Sequence, residues 1–205
     1  MELALLRHAE PRRGTDEAER RDPGLSATGR EQAERLAGHL ANERWHALYS
    51  SPQRRALETA ELLAARLGLP VRLEDGLAEF DRGAVYLHFE DVLAAKDERL
   101  AAFMREDFSA YGTDAATIRR TAKTTLDAIV AAHPGQRVAV VTHGTVINAY
   151  VGSLLGIERL VFHHPAYTGI TRLKISRKGV ANLYSLNEGT HLRTPQPPIA
   201  SAQEA

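Results

Sequence analysis

Short hydrophobic runs alternate along the chain with longer segments in which hydrophobic residues recur at helical spacing. Leu3 to Leu6 and Val138 to Val141 are continuous hydrophobic runs, which is typical of strands buried on both faces of a sheet. Alternating hydrophobic positions around Arg177 to Gly179 predict a final hairpin. The predicted strands cover residues 3–6, 45–49, 71–73, 138–141, 171–175 and 180–186.

The helical segments follow these strands. Thr28 with Glu31 has the form of a capping box, and Ser51 followed by Pro52 predicts an N-cap with proline in the first helical position. The predicted helices cover about 27–42 and 51–67, two segments between 88 and 133, and about 146–155. Strands that alternate with amphipathic helices indicate an α/β fold, with a mostly parallel central sheet flanked by helices on both faces.

The length of 205 residues fits one domain, which we expect over residues 1–193. Residues 194–205 contain three prolines and small residues, so we expect a disordered tail there. Residues 9–24 are charged and interrupted by prolines and glycines, which predicts a long loop. Loops of that length are commonly functional.

Charge and composition exclude several classes of protein. The 26 Lys and Arg balance 26 Asp and Glu, so the chain lacks the basic surface expected of a nucleic-acid or anionic-membrane partner. It has no Cys, which excludes disulfides, thiolate metal sites and cysteine nucleophiles. No hydrophobic run approaches the ~20 residues of a membrane span, and the first residues lack a basic leader. We therefore expect a cytoplasmic protein.

Two of the nine histidines stand where predicted strands end. Arg7 and His8 follow the first strand, and His143 and Gly144 follow the strand 138–141. Ligands of parallel α/β sheets bind beyond the carboxyl ends of the strands. We therefore expect these residues to meet at one edge of the sheet.

Four motifs occur in order: Leu6 to Glu10, Leu25 to Gly29, Ser50 to Ala56 and Val141 to Gly144. Together they resemble the histidine phosphatase superfamily, the phosphoglycerate mutase-like proteins, from Leu3 to about Leu192. The resemblance implies a three-layer sandwich and phosphoryl transfer through a covalent phosphohistidine. It implies no cofactor and no metal, and a small phosphorylated metabolite as the partner.

The resemblance also implies roles for single residues. His8 is the expected nucleophile, since neutral imidazole is abundant near its unperturbed pKa of ~6.5. Arg7 and Arg55 are the expected phosphate ligands, because guanidinium keeps its charge and donates two hydrogen bonds to one phosphate. Arg54 competes with Arg55, but the spacing from Ser51 and the following alanine favour Arg55.

The second histidine and an acid complete the expected site. His143 is the second expected catalytic residue and holds a phosphate oxygen, while the N–H of Gly144 at a helix start adds an anion donor. Glu79 lies where the family places its general acid and base, and Asp81 is the alternative two residues on.

Departures from the family pattern favour a monophosphatase over a mutase. Ala9, Pro11 and Gly14 replace residues common in the first loop, and the expected glycine and glutamate after the acid are missing. The leading hypothesis is a metal-independent phosphatase of a small phosphomonoester. The alternatives are a cofactor-dependent phosphoglycerate mutase, and a phosphate-binding or phosphoprotein phosphatase module. A homodimer stays open. His163 with His164 is interpreted as a surface pair, with a position at the mouth of the pocket as the alternative.

Overall fold

The computed structural model describes residues 1–96 and 98–193, so the predicted tail at 194–205 lies outside the described residues. The described strands are β1 Glu2–Arg7, β2 Ala47–Ser50, β3 Val71–Leu73, β4 Arg137–Thr142, β5 Ile170–Ile175 and β6 Ala181–Glu188. The described α-helices are α1 Glu17–Arg21, α2 Ala27–Leu40, α3 Arg54–Leu67, α4 Phe89–Ala95, α5 Glu98–Met104, α6 Ala115–Ala132 and α7 Gly144–Leu155. Short 3-10 turns occupy Asp75–Leu77, Ser109–Tyr111 and Thr190–Leu192.

The six strands form one sheet in the order β3-β2-β4-β1-β5-β6. The pairs β3–β2, β2–β4 and β4–β1 are parallel, while β5 is antiparallel to both β1 and β6. The predicted α/β fold with a mostly parallel sheet is therefore confirmed, and the predicted hairpin is β5 with β6.

Alternate residues of β1 face two hydrophobic cores. Leu3 and Leu5 pack with residues of α6 and α7 on one face of the sheet. Ala4 and Leu6 pack with residues of α2 and α3 on the opposite face. All four side chains are fully buried, and each buried leucine contributes roughly 1.5–3 kcal/mol. The continuous hydrophobic run is thus explained by helices on both faces.

The register of β1 and β4 brings the two histidines together. Arg7 pairs with Thr142 at the last position of the ladder, and the His8 N–H donates to the Thr142 carbonyl at 2.9 Å. His8 and His143 therefore leave adjacent parallel strands at the same level. Ser51 joins them there, because its N–H donates to the Val141 carbonyl at 3.0 Å.

Two predicted helix caps are wrong, although α2 starts at Ala27 as predicted. Ser26, and not Thr28, caps α2, and its hydroxyl accepts from the Gly29 N–H at 2.8 Å. The helix α3 begins at Arg54, so Pro52 lies before the helix and Ser51 is not its N-cap. The Ser51 hydroxyl instead contacts His143. Tertiary contacts decide the role of these small polar side chains, which suit caps and other hydrogen bonds equally well.

The segment before α6 departs from its predicted single helix. It contains two short helices, α4 and α5, followed by a 3-10 turn. The predicted loop 9–24 likewise contains α1, and Pro11 forms an isolated bridge with Leu25. Within the described ranges, every helix is too short or too polar to cross a membrane.

Candidate active site

His8 and His143 lie side by side at the carboxyl edge of the sheet. Their ring centroids are 5.1 Å apart with planes at 54°. Both rings are buried, with His8 2% and His143 0% exposed. Burial and the nearby guanidiniums of Arg55 and Arg7 hold the pKa of each histidine well below its usual value. Both imidazoles are therefore neutral at pH 7.

The hydrogen bond of His8 defines which ring nitrogen carries the lone pair. Its Nδ1 lies 2.8 Å from the Ala9 carbonyl oxygen. A carbonyl only accepts, so Nδ1 carries the hydrogen and Nε2 keeps the lone pair. The Ala9 N–H donates to Thr59 Oγ1 at 3.0 Å, which holds this loop against α3.

Arg7 and Arg55 place two buried guanidiniums beside the histidines. Arg7 is 6% and Arg55 0% exposed. Arg7 Nη1 donates to the Pro165 carbonyl at 2.6 Å. Arg7 Nε, together with Nε and Nη1 of Arg55, has no hydrogen-bond partner among the described residues. Buried N–H donors without an acceptor fit an anionic ligand.

Arg54 lies outside this cluster. Its side chain is 46% exposed and its Nε donates to Glu58 Oε1 at 2.7 Å within α3. The structure therefore brings Arg55, and not its neighbour, to the histidines, as the spacing from Ser51 predicts.

Glu79 reaches the same site from the segment after β3. Its Oε2 accepts from the Thr145 N–H at 3.1 Å, in the first turn of α7. Burial, followed by the nearby Asp81 carboxylate, raises the pKa of Glu79 to about 7. A carboxyl with such a pKa exchanges a proton near neutral pH, as a general acid and base must.

Asp81 lines the cavity as well, and one of its carboxylate oxygens binds the arginine. Its Oδ1 accepts from Arg55 Nη2 at 2.9 Å and from Gln53 Nε2 at 2.9 Å. Gln53 Oε1 in turn accepts from the Glu79 N–H at 2.6 Å. Gln53 thus links the two acids. The sequence places it inside the third motif but carries no signal for this bridging contact.

Ser51 fixes the ring of His143. The distance from Ser51 Oγ to His143 Nε2 is 2.8 Å. The Ser51 oxygen also accepts from the Gln53 N–H at 3.3 Å, so its own hydrogen is available to Nε2. His143 Nδ1 is buried and has no partner within the described part of the chain. When Ser51 donates to Nε2, the hydrogen of the neutral His143 ring lies on Nδ1.

Two tyrosines that sequence reasoning missed cover the arginines. The Tyr167 ring lies 4.2 Å from Arg7 Cζ, and the Tyr86 ring lies 4.4 Å from Arg55 Cζ. Such contacts stabilise a guanidinium that has little access to water. No motif marks either tyrosine, because both reach the site through loops.

A cavity of about 510 Å³ opens from these groups. Arg7, His8, Arg55, Glu79 and Gly144 line one end of it. His163 and His164 also line it, which favours the alternative that the pair faces the mouth of the pocket, although His164 is exposed. Among residues 1–96 and 98–193, no group of three or more His, Cys, Asp or Glu is arranged to hold a metal ion.

Comparison with known proteins identifies the family to which this chain belongs. The family model described as the histidine phosphatase superfamily (branch 1) matches residues 3–188. Phosphoserine phosphatase 1 of Hydrogenobacter thermophilus is 31% identical over 141 residues, which are 67% of each chain. Phosphoglycerate mutase-like protein 4 of Arabidopsis thaliana is 32% identical over 160 residues, 72% of this chain and 68% of that protein.

A solved structure shows the same fold. The crystal structure of a phosphoserine phosphatase mutant from Entamoeba histolytica, in complex with phosphoserine, superposes with a TM-score of 0.74. It is 25% identical, and the match covers 94% of this chain and 99% of that one.

Proposed function

Because the chain belongs to branch 1 of the histidine phosphatase superfamily, we propose that it hydrolyses a small phosphomonoester through a phosphohistidine on His8. Its relatives include phosphoserine phosphatases and a glucosyl-3-phosphoglycerate phosphatase, which identify it as a phosphomonoester hydrolase. The roles of the individual residues below are part of the proposal.

The first step forms a bond from His8 Nε2 to phosphorus. The Nε2 lone pair attacks in line as the bond from phosphorus to the ester oxygen breaks. The Ala9 carbonyl, which accepts from Nδ1–H at 2.8 Å, stabilises the positive charge that develops on the ring. The lowered pKa keeps Nε2 unprotonated before attack.

The phosphoryl oxygens are held by cations and N–H groups. Arg7 and Arg55 supply buried guanidinium N–H groups, and His143 supplies Nδ1–H. The Gly144 N–H at the start of α7 adds a donor with the favourable end of the helix dipole. In this role the donors neutralise charge that spreads over the equatorial oxygens.

Glu79 handles the proton in both steps. Protonated Glu79 donates to the leaving alkoxide, and the product is a neutral alcohol. The resulting carboxylate then takes a proton from water while the water oxygen attacks phosphorus. The bond from phosphorus to Nε2 breaks, inorganic phosphate leaves, and the starting state is restored.

One observation carries this proposal. A neutral histidine whose Nδ1 is committed to a carbonyl shares one cavity with two buried arginines and an acid of pKa about 7. A site that only binds phosphate needs the arginines but neither the nucleophile nor the acid.

A parallel assay tests the proposal. Phosphate release from phosphoserine, 3-phosphoglycerate, ethyl phosphate and sugar phosphates is measured for wild type, His8→Ala and the control His39→Ala, each with and without EDTA. His39 does not line the cavity. We expect His8→Ala to lose at least about 10³-fold in kcat/KM, and neither His39→Ala nor EDTA to change it.

Three outcomes would contradict the proposal. Undiminished phosphate release by His8→Ala would show that His8 is not the nucleophile. Loss of activity with EDTA would indicate a metal-dependent reaction. Interconversion of 3-phosphoglycerate and 2-phosphoglycerate without phosphate release would indicate a mutase instead. The cytoplasmic location and a homodimer belong to the same proposal, and cell fractionation and light scattering test them.

A further inference from the structure

We propose that the substrate is the phosphate ester of an alcohol that carries an aromatic or bulky hydrophobic group and no second anionic group. This inference rests on the proposed function, because it concerns the alcohol part of the ester that His8 attacks. It is carried by the walls of the cavity beyond the phosphate-binding end.

All five phenylalanines of the chain line this one cavity. The set is Phe80, Phe89, Phe103, Phe108 and Phe162. Phe108 alone is fully packed, at 2% exposed, and the other four are half-buried. Half-buried aromatic rings that converge on a cavity offer a hydrophobic ligand a surface that water covers poorly.

Four of the rings form a continuous wall, in which Phe103 lies 6.1 Å from Phe108, and Phe162 lines the cavity apart from them. Phe80 lies 4.7 Å from Phe108 and 4.8 Å from Tyr111, centroid to centroid. Phe89 lies 5.4 Å from Phe103. Met104 lines the same wall and is 47% exposed, which adds an adaptable hydrophobic contact.

The wall begins where the leaving group must lie. Phe80 directly follows Glu79, the proposed proton donor to the ester oxygen. On the other side Phe89 stacks on His164 at 4.6 Å, and His164 Nε2 is 3.5 Å from Arg7 Nη1. In this proposal, the alcohol part of an ester bound by Arg7 extends along the part of the cavity that Phe80 and Phe89 line.

The charges of the outer wall give no excess of cations to bind a second anion. Arg99 lines the cavity there, but so do the carboxylates Glu98 and Asp107. Burial lowers the pKa of both His163 and His164, so neither is a cation at pH 7. Glu98 is paired with Arg105, so the two arginines and two carboxylates of this region balance, and a substrate carboxylate or second phosphate gains no net attraction there. A hydrophobic group meets the aromatic wall.

The test compares two esters whose leaving groups have similar basicity. kcat/KM is measured for 2-phenylethyl phosphate and ethyl phosphate, with O-phosphoserine and 3-phosphoglycerate alongside. Burial of the phenyl ring predicts a preference for 2-phenylethyl phosphate of about 10- to 100-fold over ethyl phosphate. The two carboxylated esters are expected to fall at least about tenfold below 2-phenylethyl phosphate.

Two variants test which side chains cause the preference for 2-phenylethyl phosphate. Phe103→Ala is expected to reduce the ratio of the two kcat/KM values by at least about fivefold. The ratio is the readout because partly unfolded protein lowers both values alike. Leu93→Ala is the matched control, since Leu93 lies on α4, is 45% exposed and does not line the cavity. It is expected to leave the ratio unchanged.

The possible outcomes distinguish failure of this inference from failure of the proposed phosphatase function. A ratio near one for wild type, or a preference for a carboxylated ester, overturns the inference when hydrolysis still depends on His8. An unchanged ratio in Phe103→Ala also overturns it and assigns the phenylalanines to packing of α4 and α5 alone. Wild type that hydrolyses none of the esters overturns the proposed function, and the inference falls with it.

Discussion

Arg55 Nη2 donates a hydrogen bond of 2.9 Å to Asp81 Oδ1, and both side chains are buried. The carboxylate holds the guanidinium in place and offsets its charge, so Arg55 is ordered before phosphate arrives. The same carboxylate raises the pKa of Glu79. Asp81 is thus a positioning residue: it orders Arg55 and raises the pKa of Glu79.

Asp81→Asn separates these two effects. The amide oxygen still accepts from Arg55, but the negative charge that raises the pKa of Glu79 is gone. A lower pKa means that Glu79 loses its proton at lower pH. We expect the basic limb of the kcat/KM profile for an alkyl phosphate to move to lower pH. An unmoved limb with unchanged activity would contradict the coupling.

Asp81→Ala tests the ion pair by stability. Removal of the carboxylate leaves the guanidinium of Arg55, which is 0% exposed, without its partner. We expect the free energy of unfolding to fall by about 3–5 kcal/mol, measured by urea denaturation. Arg54→Ala provides the comparison, because loss of an exposed pair costs only about 0–1 kcal/mol. Equal losses in the two variants would contradict the buried pairing.

Glu79→Gln tests the proton transfer. The amide oxygen still accepts from the Thr145 N–H, but the side chain no longer donates an acidic proton. We expect kcat/KM for ethyl phosphate to fall by about 10²–10⁴-fold, and the wild-type basic limb near pH 7 to disappear. 4-Nitrophenyl phosphate has a leaving group that needs no proton, so its kcat/KM should fall far less. Equal losses for both esters would contradict the assignment of Glu79.

Arg55→Ala and Arg54→Ala form a matched pair for phosphate binding. Arg55 lines the cavity, whereas Arg54 is 46% exposed and paired with Glu58. We expect the inhibition constant of inorganic phosphate to rise at least about tenfold in Arg55→Ala and to stay within about twofold in Arg54→Ala. Circular dichroism checks that each variant is folded. Similar inhibition constants would contradict the choice between the two arginines.

Much of the fold followed from local patterns. The hydrophobic runs of β1 and β4 end in Arg7-His8 and Thr142-His143, and a parallel pair must bring such ends together. The resemblance selected Arg55 over Arg54, from the spacing to Ser51 and the following alanine, and Arg55 lines the cavity.

The remaining parts of the site depend on distant contacts that no local pattern reports. Gln53 binds both acids only because the segment 77–81 folds back beside α3. Ser51 has the sequence signature of an N-cap, yet its hydroxyl binds His143 across 92 positions of the chain. The phenylalanines of α4, α5 and the following turn show no periodicity that marks a shared cavity. Their convergence appears only when the helices pack.

The central claim is a covalent phosphohistidine on His8, and trapping it is the most direct test. Glu79→Gln reacting with 4-nitrophenyl phosphate should still form the intermediate but hydrolyse it slowly, because the general base is missing. Rapid quenching in alkali followed by peptide mass spectrometry is predicted to find one phosphoryl group on the peptide that contains His8. The group should be labile in acid, and it should be absent from Glu79→Gln carrying His8→Ala. Absence of any acid-labile phosphoryl group during turnover, or its presence on another residue, would contradict the account.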